Sequence, residues 1–418
     1  MPDCAGRRAE VCAAFTANKV CCHGLVERAI GRVVSAVVKT SVPTPGCGFD
    51  LRIATTIRIT EMPDHGPVAE CWGNEMIGSE VDTAMQEDQS DAAARRARGE
   101  FVRGVSGFRH AIGDPEFPAE PGRYHLFVAL NCPWCHRVTL ARNVLGLRDS
   151  ITMDVAFPNR TGDGDPEGPG LWEFSPDRVS TLTRAPLPEC TAETGTGLGL
   201  RLARDIYRAE GSDEQSVPIL YDKRAGRIVN NESAEILRML DRFAKGSART
   251  APDADRPDLY PADPAVQAEI DTLNELIYVT INNGAYKVGF SSDQGVYAAA
   301  FAAYFDTLAQ LDQRLSDGRL FLTGASFTEA DLRLFPTLYR HDPVYYLRMK
   351  LNGARILDFP HLWRWLCRVY ALPGVAQSGS LVHCKQGYFG RSWNGVVPLG
   401  PVRPMPYPKA YEHPELAG

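Results

Sequence analysis

The chain has 418 residues, of which 44% are hydrophobic and 23% charged, and its formal net charge is −6. This length accommodates two or three domains of ordinary composition. Acidic and basic residues are mixed along the chain, so bulk electrostatics do not favour a nucleic-acid partner. No apolar run reaches the roughly 20 residues that a membrane-spanning helix needs, which argues against an integral membrane protein.

Residues 1–98 differ in composition from the rest of the chain. The first sixty residues contain eight Lys and Arg but only four Asp and Glu, and their apolar residues show weak periodicity. A basic, acid-poor leader is typical of an organelle transit segment, although a disordered tail or a misplaced start codon would look the same. We therefore expect a poorly structured or targeting extension. We expect the protein in the cytoplasm, with an organelle as the alternative.

Residues 99–245 alternate between strand and helix patterns. In chain order the pattern predicts strand 124–130, helix 134–145, strand 151–157, a Gly- and Pro-rich loop over 158–199, helix 200–210, strands 217–222 and 227–229, and helix 232–243. This order is that of a thioredoxin-like α/β domain. Val217-Pro218 is then the expected cis proline facing the active cysteine, which leaves the Val217 backbone free to pair with an extended peptide.

The remainder of the chain is predicted to be helical. A linker rich in Pro, Asp and Ser spans residues 245–263 and separates the two regions. The predicted helices cover about 265–282, 294–316, 328–341 and 361–371. Thr328 and Asp331 have the spacing of a capping box, which marks where the third of these helices begins. We place an all-α domain over 263–401 and a C-terminal tail over 402–418.

The motif with the clearest chemistry is Cys132-Pro-Trp-Cys135-His136, between the first strand and the first helix. A cysteine at a helix N-terminus is favoured as a thiolate by the unpaired N–H groups and the helix dipole. Pro133 suits the first helical position, where no N–H is needed. A zinc site would require further ligands at matching spacing, and none follow. The pattern therefore favours thiol redox or thiol transfer, with a pair of inert buried cysteines as the alternative.

Several longer strings extend this interpretation to a family. They are Cys132-Pro-Trp, Val217-Pro-Ile-Leu-Tyr-Asp-Lys, Ile228-Val-Asn-Asn-Glu-Ser-Ala-Glu-Ile, Ile277-Tyr-Val-Thr-Ile-Asn-Asn-Gly-Ala-Tyr, and Phe327-Thr-Glu-Ala-Asp-Leu-Arg-Leu-Phe. In this order they resemble the Xi-class glutathione transferases, the glutathionyl-hydroquinone reductases. The resemblance covers residues 99 to about 401. It implies a thioredoxin-like N-terminal domain followed by an all-α glutathione-transferase bundle, and a homodimer without a metal.

The resemblance also implies a reaction and its site residues. An active cysteine attacks the sulfur of a glutathionyl-hydroquinone, and a second glutathione resolves the cysteine–glutathione disulfide. Glutathione is thus the co-substrate. The implied roles are as follows: Cys132 is the nucleophile, Glu232 and Ser233 bind the glutamyl end of glutathione, Val217 pairs with its cysteinyl unit, Trp172 lies over it, and Tyr278 and Tyr388 line the quinone pocket, with Tyr286 as a third candidate.

The chain departs from the family pattern at two places. Cys135 stands where the family often has alanine, so it is either a resolving thiol or a buried bystander. The family also tends to carry an arginine shortly before the Val-Pro pair, where this chain has residues 213–216, Asp-Glu-Gln-Ser. The contact to the glycine carboxylate of glutathione therefore needs another residue, and Arg160 and Arg208 are the candidates.

Two other functions are compatible with the same motif. One is an omega- or glutaredoxin-type thiol transferase, which acts on mixed disulfides or dehydroascorbate. The other is a protein that only carries quinones or similar aromatic ligands. The strings of the helical region favour hydroquinone reduction, and an intact Cys132 followed by Pro133 argues against a mere carrier.

Overall fold

The computed structural model describes residues 91–162, 170–183, 194–246, 256–390 and 394–400, all in the second of the chain's two units, residues 78–418. The predictions for residues 1–90, for 247–255 of the linker and for the tail 402–418 lie outside the described residues. Residues 91–97 form a helix, α1. None of the described helices is long and apolar enough to cross a membrane.

The sheet has four strands in the order β2-β1-β3-β4. Their bounds are Tyr124–Val128 (β1), Thr152–Val155 (β2), Ile219–Asp222 (β3) and Arg227–Asn230 (β4). Strand β2 runs parallel to β1 because a crossover helix joins them, whereas β3 and β4 are antiparallel to their neighbours. All five residues of β1 are buried, as expected for a central strand covered on both faces. This mixed sheet confirms the thioredoxin-like prediction.

Four helices accompany the sheet: α2 (Pro133–Val144), α3 (Pro176–Thr183), α4 (Ala203–Arg208) and α5 (Ser233–Gly246). Helix α2 is buried on almost every side between the sheet, α5 and the helical domain. The first turn of α2, which directly follows Cys132, is therefore packed against both domains. The prediction of a loop over all of 158–199 was wrong for α3. This helix has only eight residues in a Pro- and Asp-rich stretch, and it is anchored by the buried Val179.

The second domain is all helical, as predicted. Its helices are α6 (Pro264–Leu276), α7 (Asn283–Phe290), α8 (Gln294–Arg314), α9 (Glu329–Arg340), α10 (Tyr346–Arg348), α11 (Pro360–Ala371) and α12 (Leu381–Phe389). Helix α9 begins at the predicted capping box, in which the Thr328 N–H donates to Asp331 Oδ2 over 3.0 Å. Single π-helical turns join α6 to α7 (Ile277–Asn282) and α9 to α10 (His341–Tyr345). Such turns are rare and often mark functional sites.

Two features of this domain differ from the prediction. The helix expected to end near residue 282 continues through the π turn to Phe290. Helix α12 was not predicted. Polar and apolar side chains alike are buried in it, including His383 and Lys385, so its sequence lacks the apolar stripe that identifies a surface helix.

Candidate active site

Cys132 is the N-cap of α2. Its backbone is extended, with φ −79° and ψ 125°, and Pro133 occupies the first helical position. The Cys132 carbonyl accepts the first intrahelical hydrogen bond, from the His136 N–H over 3.0 Å. The side chain is partly exposed. The thiol therefore lies where the free N–H groups of the first turn favour negative charge, as the sequence predicted.

The surroundings of Cys132 also favour the thiolate. Burial raises the pKa of the thiol, but hydrogen bonds from the side chain and the main-chain N–H of Cys135 lower it. The positive charges of Arg103 and Arg340 lower it further, and together these groups bring the pKa from 9.0 to about 6. At neutral pH the sulfur is mostly ionised, and ionised sulfur is the nucleophilic form.

Cys135 has the opposite character. It is fully buried one turn into α2, and burial, together with the adjoining Cys132 sulfur, raises its pKa well above the ordinary range. Cys135 thus stays protonated and acts as a hydrogen-bond donor to Cys132. Within the ranges that the structure describes, no three His, Cys, Asp or Glu side chains are grouped so as to hold a metal.

A cavity of about 830 Å³, the Cys132 cavity, opens beside this sulfur between the two domains. Val217 lines it, and the Val217 carbonyl oxygen lies 3.8 Å from Cys132 Sγ. The peptide bond between Val217 and Pro218 is cis, as predicted. The main chain of Val217 is therefore adjacent to the nucleophile, where pairing with a cysteinyl unit requires it.

Trp172 lines the same cavity from the loop after β2. The guanidinium of Arg160, another lining residue, lies 3.6 Å from the centre of the Trp172 ring, in the geometry of a cation–π contact. Arg208 is exposed instead and lies 3.6 Å from the Asp213 carboxylate. Of the two arginines considered for the glycine carboxylate of glutathione, the structure brings only Arg160 to the cavity.

The helical domain contributes two tyrosines to the cavity wall opposite Val217. The hydroxyl oxygens of Tyr286 and Tyr388 lie 2.9 Å apart, and a buried third tyrosine, Tyr345, lies 3.2 Å from Tyr388. Burial raises the pKa of Tyr286 and Tyr388 well above the ordinary range. Both hydroxyls therefore stay protonated at neutral pH and can donate hydrogen bonds. The structure thus brings Tyr388 and Tyr286 to Cys132, and the prediction missed Tyr345.

Tyr278 lies elsewhere. It lines a second cavity of about 850 Å³, the arginine cavity. Six arginines border this cavity: Arg95, Arg96, Arg103, Arg109, Arg137 and Arg333. The Trp134 ring stands between the two cavities, with its centre 6.0 Å from the Tyr278 ring and 6.1 Å from the Tyr286 ring. The predicted role of Tyr278 in a quinone pocket stays a prediction, but its position differs from that of Tyr388.

Glu232 and Ser233 stand at the start of α5, and Glu232 lines the arginine cavity. A segment of chain, residues 101–107, lies beside Glu232 and contributes lining to both cavities, and we call it the arm. The Ser106 hydroxyl of the arm lies 3.3 Å from both the Glu232 carboxylate and the Asn231 carbonyl oxygen. The arm therefore contacts one carboxylate oxygen of the predicted glutamyl site, while Glu232 stays partly exposed.

Asn231 holds the arm in place. Asn is a common N-cap residue, but here the Glu232 carboxylate accepts from the first turn of α5, at the N–H of Ala234 over 3.0 Å. The Asn231 amide accepts from the Phe108 N–H over 3.2 Å and donates to Glu214 over 2.6 Å. Glu214, in the segment where an arginine was expected, also accepts from the Gly107 N–H over 3.1 Å.

Two charged residues near Cys132 were missed in the sequence. Arg340 at the end of α9 contacts the turn that bears Cys132, and Arg103 of the arm lies 3.9 Å from the centre of the Trp134 ring. For Arg340 a signal exists: it is a charged residue on the apolar face of an amphipathic helix, beside Pro336 and Tyr339. For Arg103 no local pattern separates it from its neighbours.

Comparisons with known proteins show the family to which the chain belongs. The glutathione S-transferase N-terminal domain family matches residues 131–242, and the C-terminal domain family matches residues 294–368. The chain is 38% identical over 318 residues to a glutathionyl-hydroquinone reductase, PcpF, of Sphingobium chlorophenolicum, which covers 74% of this chain and 92% of that protein.

Solved structures are similar to this chain over most of its length. The glutathione-bound structure of YqjG, a glutathione transferase homolog from Escherichia coli K-12, matches with a TM-score of 0.61 and 36% identity, over 73% of this chain and 96% of that one. The Xi glutathione transferase of Phanerochaete chrysosporium matches with a TM-score of 0.62 and 35% identity, over 72% and 98%.

Proposed function

This chain belongs to the Xi class of glutathione transferases, the glutathionyl-hydroquinone reductases, and on that basis we propose that its Cys132 thiolate reduces glutathionyl-hydroquinones to hydroquinones. Glutathione is the co-substrate, and oxidised glutathione is the second product. The observation that carries the proposal is the position of Cys132. It is an ionised helix-cap sulfur that opens into a cavity with a peptide-binding edge on one side and tyrosine hydroxyls on the other.

The first step is attack on the glutathionyl sulfur. The peptide part of the substrate lies along Val217, so that its sulfur approaches Cys132 Sγ. The hydroquinone first shifts to its keto tautomer, in which the ring carbon that bears sulfur takes up one proton while a ring hydroxyl loses one. A new bond then forms between the two sulfurs, the bond between sulfur and the ring carbon breaks, and its electron pair passes through the ring to the carbonyl oxygen. This oxygen takes up a proton, and hydroquinone leaves. Holding both parts in one cavity supplies the orientation that this displacement needs.

Tyr286 and Tyr388 act on the departing ring. As the carbon–sulfur bond breaks, negative charge spreads onto the ring and its oxygens. A protonated tyrosine hydroxyl within hydrogen-bond distance stabilises this charge and can supply the proton. The hydroxyl oxygens of Tyr286 and Tyr388 lie 2.9 Å apart and those of Tyr388 and Tyr345 lie 3.2 Å apart, so a substrate oxygen at Tyr286 or Tyr388 would join a row of hydrogen-bonded hydroxyls.

The second step restores the enzyme. A second glutathione, as the thiolate, attacks the glutathione sulfur of the mixed disulfide, and Cys132 leaves as a thiolate. A sulfur with a low pKa is the better leaving group, so the same surroundings that activate Cys132 for attack also favour its release. In this scheme Trp172 and Arg160 hold the glycine end of glutathione, and Glu232 with Ser233 holds the glutamyl end once Ser106 has moved.

The direct test compares a glutathionyl-hydroquinone with a small mixed disulfide of glutathione, each assayed with wild-type protein. We expect turnover of both. Incubation with glutathionyl-hydroquinone alone should add one glutathione to Cys132 and release hydroquinone, as seen by intact mass and peptide mapping. Hydroquinone release without a modified Cys132 would contradict the mechanism.

A second candidate is general thiol transfer on mixed disulfides. The observation that favours it is Cys135, a protonated thiol directly behind Cys132. It offers an internal route in which Cys135 displaces glutathione and forms a Cys132–Cys135 disulfide, which two molecules of glutathione then reduce. If the mixed disulfide is turned over while the glutathionyl-hydroquinone is not, this second function is the correct one.

A further inference from the structure

Arg340 is a buried cation that hydrogen-bonds only neutral groups. Its side chain is 0% exposed, at the last residue of α9. A guanidinium has five N–H donors in a fixed plane. Here all five have acceptors: the carbonyl oxygens of Leu130, Asn131, Cys132 and Pro336, and His136 Nδ1, at 2.8 to 3.4 Å.

Three of these acceptors form the turn that carries the nucleophile. Arg340 Nη2 donates to Leu130 O over 2.8 Å and to Cys132 O over 3.4 Å, and Nε donates to Asn131 O over 3.1 Å. The turn between β1 and α2 is therefore tied to the helical domain at three successive carbonyls. The planar fork determines the orientation of these carbonyls, and with them the direction in which the Cys132 side chain leaves the backbone.

The fourth partner is a neutral histidine. Since Arg340 can only donate, His136 Nδ1 must accept, over 2.8 Å, and the ring proton is on Nε2, which faces the Ser378 hydroxyl at 2.9 Å. Burial and the positive charge of Arg340 hold the pKa of His136 well below its ordinary value. His136 thus offers no negative charge to balance the guanidinium.

A buried charge without an opposite charge is costly. Among the residues that the structure describes, no carboxylate is within ion-pair distance of Arg340. Besides the neutral His136, the ionisable groups whose charge acts on Arg340 are Cys384, Tyr345, Tyr388 and Tyr339. Arg340 in turn hydrogen-bonds the Cys132 carbonyl, and its positive charge, with that of Arg103, lowers the pKa of the Cys132 thiol. We propose that Arg340 is the positioning residue and counter-ion of the catalytic thiolate, and that it joins the helical domain to the nucleophile.

This inference rests on the proposed role of Cys132 but is tested without turnover. The rate of Cys132 alkylation by iodoacetamide is measured from pH 4 to 9 on the full chain, with the modified residue assigned by peptide mass. The groups that face Cys132 in this titration are Cys135 on its own helix, Arg103 of the arm, Tyr286 on α7, Arg340 on α9, and Cys384 and Tyr388 on α12.

We expect Arg340→Gln to move the midpoint of this profile upwards. At pH 6 the alkylation rate should fall about fivefold, because a rise of one unit from a pKa of about 6 lowers the ionised fraction from about 50% to about 9%, and at pH 9 the rate should approach that of wild type. Arg340→Lys keeps the charge but loses the planar fork, so its profile should lie between the two. The matched control is Arg142→Gln. Arg142 is equally buried and donates to Ile151 O over 2.6 Å and Arg148 O over 3.0 Å, at the other end of α2.

A purely structural arginine would lower the melting temperature in both glutamine variants and shift the midpoint in neither. A folded Arg340→Gln with the wild-type midpoint therefore overturns the proposal. If Arg340→Gln does not fold, Arg340→Lys is the test. Its alkylation rate at pH 6 should be at least threefold lower than that of wild type, and an unchanged rate would overturn the proposal. An ordinary thiol midpoint in the wild type would overturn both this inference and the proposed function. A shifted midpoint without hydroquinone turnover would overturn only the proposed function.

Discussion

The two cavities on either side of Trp134 are similar in volume but differ in chemistry. The Cys132 cavity combines a thiolate, the main chain of Val217 and a hydrogen-bonded pair of tyrosines. The arginine cavity combines six guanidinium groups with Glu232 and Tyr278. Only the arm and Trp134 separate them, because Arg103, Gly104, Val105 and Ser106 line both. The residues that the proposed function assigns to one glutathione molecule are thus divided between two cavities, with the arm beside both.

The largest loss of activity is expected when the Cys132 sulfur is removed. We expect Cys132→Ala to lower hydroquinone turnover by more than about a thousandfold, since no other group at the cavity can form the mixed disulfide. The melting temperature should stay within a few degrees, because the side chain is small and partly exposed. Near-normal turnover in this variant would place the chemistry outside the Cys132 cavity.

Tyr278 and Tyr388 line different cavities, so substituting each one tests most directly which cavity holds the hydroquinone ring. We expect Tyr388→Phe to lower kcat for glutathionyl-hydroquinone about a hundredfold, the usual range for losing a proton donor. Tyr278→Phe should lower it less than tenfold, because Tyr278 lines the other cavity. Reduction of a small mixed disulfide, which lacks the ring, is the control and should change little in either variant. Equal losses for Tyr278 and Tyr388 would show that the cavities merge when substrate binds.

Substitution of Glu232 tests whether bound glutathione extends from the Cys132 cavity past the arm to this carboxylate. If the glutathione ammonium replaces Ser106 at this carboxylate, Glu232→Gln should raise the KM for glutathione about tenfold and leave kcat unchanged, since a hydrogen bond to a charged group contributes about 1.5–3 kcal/mol. Glu235→Gln is the matched control. It lies on the same helix with its carboxylate paired to Arg109, and its KM should stay close to that of wild type. An unchanged KM in Glu232→Gln would confine glutathione to the Cys132 cavity.

The smallest effect is expected from Cys135. Its thiol donates to Cys132 and helps to lower the pKa of Cys132 to about 6, so the wild-type kcat/KM should fall as the pH drops below about 6 and the thiolate is protonated. In Cys135→Ala this acid limb should move to higher pH, while turnover at pH 8 stays within about threefold of wild type. A stalled Cys132–glutathione disulfide in this variant, seen by intact mass, would instead support internal resolution by Cys135.

The parts of the fold that could be read from the sequence are those set by local interactions. The Cys132 turn was predictable because an apolar strand, a proline at the first helical position and a helix-like run follow each other directly along the chain. The capping box at Thr328 depends on local residue chemistry in the same way, whereas the cis bond before Pro218 was expected from the order of strands and helices. Helices α3 and α12 were missed because one is very short and the other is buried on all sides.

The residues of the site also fall into two groups, those indicated by local sequence and those brought together by the fold. The sequence by itself indicated Cys132 as the candidate nucleophile, the thioredoxin-like order of strands and the family, because strings of adjacent residues specify each of them. Tertiary structure alone decided that Tyr286 and Tyr388 meet at Cys132 while Tyr278 does not, that the arm contacts Glu232, and that Arg340 reaches the Cys132 turn from more than 200 positions away. These contacts depend on how α7, α9 and α12 pack with the other helices, such as α9 with α2. The sequence pattern of a helix shows its periodicity, but it does not show which residues of other elements its side chains contact.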